Sequence, residues 1–240
     1  MSQRKSIWIG GGIAVALVAV IVLVVALASP PGGSADAAAP SPTATEQPAE
    51  DSSSAEQQTA EASTFARQLA DDPRAIGDVD APVLMIEFAD LRCHYCGVFA
   101  NETLPGLLSE YVDAGLLRIE WHSAVVLGDT SEDAAVAAFA AAEQSMFWEY
   151  VEALYATQPT GAPVWDRAAL IGLAEQVGLD IERFSADLDD PTVIAAAEAE
   201  AAQSSAYGVT GTPAFVVGNQ LITGAQPLET FAEVIDAQLP

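Results

Sequence analysis

Two cysteines are all that this 240-residue chain contains, and they stand three apart in Cys93-His94-Tyr95-Cys96. Ahead of them runs an apolar stretch, Val83-Leu84-Met85-Ile86-Glu87-Phe88. At the start of a helix, positions i and i+3 share a face one turn apart. That separation falls inside the roughly 4.4–6.8 Å between Cα atoms that a disulfide spans. The chemistry open to such a pair is reversible: a thiolate attacks, a mixed disulfide forms, and the second sulfur resolves it. Unpaired N–H groups at a helix start favour the thiolate of Cys93 and make its sulfur a good leaving group. Cys96, one turn in, is expected to be more shielded and to close the bridge. His94 lowers the Cys93 pKa further if it is protonated or donates a hydrogen bond; as a solvent-facing spacer it does neither.

Other uses of the two sulfurs fit less well. A structural zinc site takes about four Cys or His ligands. The chain holds only two cysteines and two histidines, His94 and His122, so no metal and no cofactor is expected. A bridge closing so short a loop removes little entropy from the unfolded chain, which disfavours a purely structural disulfide.

Glu87 interrupts the apolar run six positions before Cys93. A lone carboxylate there is costly unless protonated or paired. A buried acid with a raised pKa would exchange protons with Cys96 as the disulfide opens; the competing placement is a strand edge with the carboxylate in water. Far downstream, Thr212-Pro213 precedes Ala214–Val217. On the residues alone, a trans proline starting a strand is an ordinary placement. Phe139, Phe147, Trp148, Tyr150 and Tyr155 read as packing, His122 as a satisfied strand histidine, and Trp165 with Arg167 as a helix start.

These groups need elements to position them. The pattern predicts a short polar helix at Thr64–Asp71, a turn through Asp72-Pro73 and Gly77, and a buried strand Pro82–Phe88. A helix from Cys93 to Val112-Asp113, bent or broken at Pro105, leads to a strand at Leu116–Val125. From Ser131 to Tyr207 there is almost no strand signal. Ala134–Ala156, Trp165–Val177, Ile181–Leu188 and Pro191–Tyr207 all have helical spacing. Ala214–Val217, a tight turn at Gly218-Asn219, a strand Gln220–Ile222 and a helix Pro227–Leu239 close the chain. The order is α/β: β-α-β, a helical block over about 131–207, then β-β-α.

In that order the chain resembles the DsbA-like thiol-disulfide oxidoreductases, over roughly residues 64–240. Cys93-His94-Tyr95-Cys96 resembles the family's redox motif, Glu87 its buried acid, and Gly211-Thr212-Pro213 its proline loop. Ser145-Met146-Phe147-Trp148-Glu149-Tyr150, followed by Ala153-Leu154-Tyr155, resembles the start of its helical insert. The resemblance implies a thioredoxin fold, β-α-β then β-β-α, with an inserted all-helical subdomain. It implies a Cys93–Cys96 disulfide as the reactive group. It also implies a cis bond at Thr212–Pro213, facing the dithiol and leaving the Thr212 backbone free to pair with an extended substrate. The family's oxidants often carry histidine just before the second cysteine; here that place is Tyr95, and the histidine comes one residue earlier.

The N-terminus bears on where such chemistry takes place. Arg4 and Lys5 precede the apolar stretch Ile7–Ala28. As a helix it rises ~33 Å, enough for a hydrocarbon core of about 30 Å. No Lys or Arg follows until Arg67, so the positive-inside rule puts residues 1–6 in the cytoplasm and the rest outside, on a single-pass anchor. Ala26-Leu27-Ala28 offers an alternative, as the cleavage site of a signal peptide. The apolar run exceeds the usual signal core of about 7–15 residues, which favours an uncleaved anchor. Residues 29–63 are small and polar, with no aromatic or large aliphatic side chain; such a segment cannot bury enough surface to fold and reads as a disordered tether. All 34 acidic residues and six arginines fall after residue 28, a net charge of −28 there against −26 for the whole chain. That field reads as a solvated surface and argues against nucleic acid or anionic lipid as a ligand.

These expectations describe a membrane-anchored, extracytoplasmic oxidant that donates its disulfide to exported cysteine-containing proteins. The resemblance implies reoxidation by a DsbB- or VKOR-type membrane oxidase. A reductase or isomerase of the same fold would use the dithiol form. A non-enzymatic, chaperone-like binding module is the reading from another class, and it would survive mutation of both cysteines.

Overall fold

The computed structural model describes residues 65–158 and 165–240. The expected anchor at 7–28 and tether at 29–63 lie outside them. Among the described residues no helix is long and apolar enough to cross a membrane.

The sheet is built around β2, Val83–Ala89. Its order is β1-β3-β2-β4-β5, with β1 at Ala75–Ile76, β3 at Leu117–Ser123, β4 at Ala214–Val217 and β5 at Gln220–Thr223. β2 and β3 run parallel, and every other pair is antiparallel. A strand covered on both faces reads as a continuous apolar run, which is why β2 shows no clean alternation. Met85 packs with Phe99, Phe215 and Phe231 on one face. Ile86 and Phe88 pack with Phe65 and Val216 on the other. Glu87 shares the Met85 face by the two-residue period of a strand.

The helix after Cys93 continues to Val112 without breaking, but its ladder changes. α1 is His94–Val98 and α2 is Leu104–Leu107; five-residue π-helical stretches, Phe99–Thr103 and Leu108–Val112, follow each of them. Pro105 has no N–H to give, so the hydrogen-bond ladder is disturbed around it. The Asn101 side chain donates to the Gly97 carbonyl at 2.7 Å.

Five helices form the insert: α3, Asp129–Ala142; α4, Phe147–Ala156; α5, Arg167–Val177; α6, Ile181–Asp187; and α7, Pro191–Ala206. Three start on aspartate caps. Asp166, Asp180 and Asp190 accept from Ala169, Arg183 and Thr192 N–H at 2.8, 3.0 and 2.7 Å. After the sheet hairpin, α8, Leu228–Asp236, covers the Met85 face through Phe231 and Ile235.

Three expectations need correction. Ala134–Ala156 is two helices, not one. The chain reverses at Ser145, whose φ is +57°, and the Gln144 amide holds the turn by bonding both backbone groups of Asp180 at 2.9 and 3.2 Å. Residues 65–71 form no α-helix, because the Arg67 and Gln68 N–H groups are taken by the Glu120 carboxylate at 2.7 and 2.9 Å. Ala75–Ile76, read as part of a turn region, is an edge strand paired to Glu120 and Ile119 of β3.

Candidate active site

The dithiol sits where β2 hands the chain to α1, and Asp90 fixes the handover. Its buried carboxylate accepts from Arg92 N–H at 2.9 Å through one oxygen, and from Val126 and Leu127 N–H at 2.9 and 3.0 Å through the other. The Asp90 carbonyl accepts from Cys93 N–H at 2.9 Å. A second brace comes from the insert: the buried Gln158 amide donates to the Leu91 carbonyl. Gly97 makes room for it, since a methyl group there would lie 2.7 Å from Gln158 Oε1. The sequence reading missed Asp90 and Gln158. Asp90 had a usable signal, a lone acid directly behind a buried strand; Gln158 had none.

Cys93 is the N-cap of α1 in extended conformation, φ −71° and ψ 121°. Both cysteines are thiols in this structure. Cys96 is fully buried, and Cys93 retains 8% exposure, so the order of shielding is the expected one. The two titrate in opposite directions. The Cys93 thiol is lowered to about 6, first by a hydrogen bond from Cys96, against the opposing effect of burial, then by Thr212 and by the N–H groups of Cys96 and Tyr95. The Cys96 thiol is pushed well above its ordinary value by burial and by its hydrogen bond to Cys93, with the charges of Cys93 and Glu87 adding to this. The helix start therefore helps Cys93, but the neighbouring thiol does more. The His94 ring is exposed and turns to Tyr95, with centroids 5.4 Å apart. Tyr95 is 62% exposed.

The Thr212–Pro213 bond is cis. Thr212 meets the dithiol through two groups. Its carbonyl accepts from the Cys93 thiol at 3.2 Å. Its hydroxyl is buried with no hydrogen-bond partner, and it favours the ionised form of either sulfur.

Glu87 lies beneath, in the central strand and not at an edge. It is 2% exposed, and burial alone raises its pKa to about 8. Its carboxyl borders a cavity of about 440 Å³ that also meets Trp121, Asn101, Glu149 and Glu152. Trp121 Nε1 is buried there without a partner. Tyr155, placed among packing residues by its pattern, is buried with its hydroxyl 3.5 Å from the Asp90 carbonyl. His122 is structural: its pKa is lowered to about 2 by burial and by the charges of Arg67 and Arg74, and Arg67 donates to its Nε2 at 2.9 Å.

The thioredoxin family profile matches residues 69–237. This chain belongs to the thioredoxin family. With its dithiol at the start of α1, it is a thiol-disulfide oxidoreductase. Disulfide bond formation protein D of Bacillus subtilis is 26% identical over 168 residues, covering 68% of this chain and 76% of that protein. A Na(+)/H(+) antiporter NhaA of Herminiimonas arsenicoxydans is 34% identical over 161 residues, 67% of this chain. The chain spans only 25% of that antiporter's length. Among solved structures, the thiol-disulfide exchange protein alpha-DsbA2 of Wolbachia pipientis superposes with a TM-score of 0.66 at 19% identity, covering 78% of this chain and 98% of that one. The domain thus has the DsbA-like form of the fold, with the insert between β3 and β4.

Proposed function

We propose that the domain works outside the cytoplasmic membrane as an oxidant, passing a Cys93–Cys96 disulfide to exported cysteine-containing polypeptides. One arrangement carries this reading: Cys93 caps α1 with its thiol on the Thr212 carbonyl at 3.2 Å and Cys96 is fully buried behind it, an environment that pushes Cys93 down to about 6 and Cys96 upward. A stabilised thiolate favours the reduced protein, which makes the corresponding disulfide oxidising. A substrate thiolate attacks Cys93 Sγ, the S–S bond breaks, and Cys96 Sγ leaves with the electron pair. That sulfur is a poor leaving group as an anion, and Glu87, protonated below about 8, supplies its proton. A second substrate thiolate then attacks the substrate sulfur of the mixed disulfide, and Cys93 departs as the stable thiolate. The substrate has lost two electrons and the protein has gained them.

Regeneration needs an electron acceptor, for which a DsbB- or VKOR-type membrane oxidase is the proposed partner. Residues 7–28 as an uncleaved anchor and 29–63 as a tether would hold the domain beside it. Likeness to a protein named for disulfide bond formation supports the oxidising direction. Likeness to a quarter of an Na(+)/H(+) antiporter is in keeping with a place at a membrane, and antiport is no part of the proposal. Equilibration with glutathione buffers tests the reading. The expected potential lies between about −270 mV, that of thioredoxin, and about −120 mV, that of DsbA, nearer the latter. A value at or below that of thioredoxin moves the domain to the reductase class.

A further inference from the structure

The cavity that Glu87 borders holds groups that the exchange reaction does not use. It measures about 440 Å³ and is lined from the redox helix, α4 and the sheet. That volume suits a small organic molecule. Strand register lays its floor: Glu87 of β2 pairs with Trp121 of β3, so the two side chains stand side by side on one face of the sheet. They are 2% and 1% exposed. Trp121 Nε1 has no hydrogen-bond partner among the described residues. An indole nitrogen can only donate, and leaving a buried donor unpaired is costly. Trp148 makes the contrast: its Nε1 donates to the Ala75 carbonyl at 3.3 Å, and its ring serves as a wall. Burial keeps Glu87 protonated at neutral pH, so its carboxyl is a second donor beside the indole.

The mouth has the opposite chemistry. Glu149 and Glu152 line it from α4, three residues apart on one helix face and both exposed. Asn101 lines it from the redox helix, its amide nitrogen bonded to the Gly97 carbonyl. No Lys, Arg or His lines the cavity, so its field favours a cation and rejects an anion. Between mouth and floor the walls are apolar, with Ile76, Leu104, Leu108 and the Trp148 ring. An aromatic face beside two carboxylates suits an organic ammonium better than a hydrated metal ion.

We propose that this cavity binds a small organic cation, with its ammonium head at Glu149 and Glu152, an apolar ring along Trp148 and Leu104, and an oxygen acceptor at its far end on Trp121 Nε1 and Glu87. The site stands without the exchange reading, but its consequence rests on that reading. An oxygen that accepts from Glu87 stabilises the protonated acid. The proton then passes to Cys96 less readily, and Cys96 leaves more slowly. Occupancy of the cavity thereby restrains the dithiol from below, away from the surface that meets a substrate thiolate.

Titration calorimetry of the full chain tests the site with three probes whose charge is fixed near neutral pH. They are para-acetylbenzyl-trimethylammonium; benzyltrimethylammonium, which lacks the acceptor; and para-acetylbenzoate, which reverses the charge. The first should bind with a Kd of about 1 mM or tighter, in keeping with its size. Loss of the acceptor should weaken binding about tenfold, the worth of one hydrogen bond to a buried donor. Para-acetylbenzoate should show no binding at the same concentrations. Glu149→Gln combined with Glu152→Gln, both on the exposed side of α4, should weaken the first probe about fivefold and preserve the preference for the acceptor. Equal affinity for the two cations would reveal mere attraction to an acidic surface and overturn the site. So would an affinity that the double substitution leaves unchanged. Saturating para-acetylbenzyl-trimethylammonium should also slow reduction of the oxidised chain by dithiothreitol about threefold or more. Binding with an unchanged rate would uphold the site and remove Glu87 from the exchange. An oxidised chain that never reacts with dithiothreitol would overturn the exchange reading alone.

Discussion

Cys93 Sγ lies 3.2 Å from the carbonyl oxygen of Thr212, 119 residues further along the chain. The reactive thiol and the proline loop are one unit in space, with the whole helical insert threaded between them. Titration of Cys93 should therefore respond to residues outside its own helix. Followed by thiolate absorbance, the reduced protein should show a midpoint of about 6. Cys96→Ala removes the largest stabilising hydrogen bond and should raise that midpoint; Thr212→Val removes the hydroxyl, keeps the carbonyl, and should raise it less. An unchanged midpoint in Cys96→Ala would leave Thr212 and the N–H groups of the helix start as its causes.

Glu87 gives a stability signature of known sign. Burial lifts its pKa from 4.5 to about 8 in the folded chain. Folding therefore favours the protonated form: the contribution is whole below 4.5 and lost as pH rises through 8. Glu87→Gln, which imitates the protonated state, should match the unaltered protein in urea at pH 4 and exceed it at pH 9. The same variant should slow departure of Cys96 on the order of 10²-fold at pH 7, read by stopped-flow. Parallel urea midpoints across the whole pH range would contradict the buried-acid assignment.

Linkage at Cys93 runs the other way. Its thiol ordinarily titrates at 9.0 and is lowered to about 6 on folding. The stabilisation is present above 9 and lost as pH falls through 6. The oxidised form has no thiol to titrate, so the melting temperature of the reduced form should rise relative to the oxidised form between pH 6 and 9. Above that range the raised Cys96 opposes the gain. Calorimetry of both forms across this window decides the matter, and a difference that does not change with pH would show that no thiolate is held.

The order of elements and the two sulfurs were legible because they rest on local signals. A near-continuous apolar run marks a central strand, helical spacing marks the insert, and Asp166, Asp180 and Asp190 cap their helices from within the sequence. What stayed hidden depends on partners far away. Nothing near Arg67 announces that its backbone will serve Glu120 and not a helix. Charged residues read as surface, yet buried Asp72, Arg118, Glu120 and Glu200 and partly buried Arg67 and Arg74 form an ionic cluster beside His122. The break at Ser145 is likewise set by Asp180, 35 residues away. At the site, Glu87 was readable as a misplaced charge, whereas the reach of Gln158 to Leu91 crosses between the insert and the redox loop.

That ionic cluster carries its own expectation. Arg67 bonds Asp72 through Nε, and through its terminal nitrogens it bonds Glu200 at 2.9 Å and the Trp121 carbonyl at 3.0 Å. Arg67→Ala leaves Asp72 and Glu200 buried with fewer partners and should cost about 3 kcal/mol in urea unfolding. A loss below about 1 kcal/mol would place the cluster with ordinary surface pairs.

The proposed anchoring has a direct check. N-terminal sequencing of the membrane fraction should return a chain beginning within residues 1–6. A mature chain starting near Ser29 would mean that the apolar stretch is cleaved and the domain released.

Arg67 also lies two residues from the first described position, and its guanidinium grips β3 and α7 at once. The place where the chain enters the described domain is thus tied by one side chain to the sheet and to the helical insert together, so the two layers share a fastening at the end remote in sequence from the proline loop.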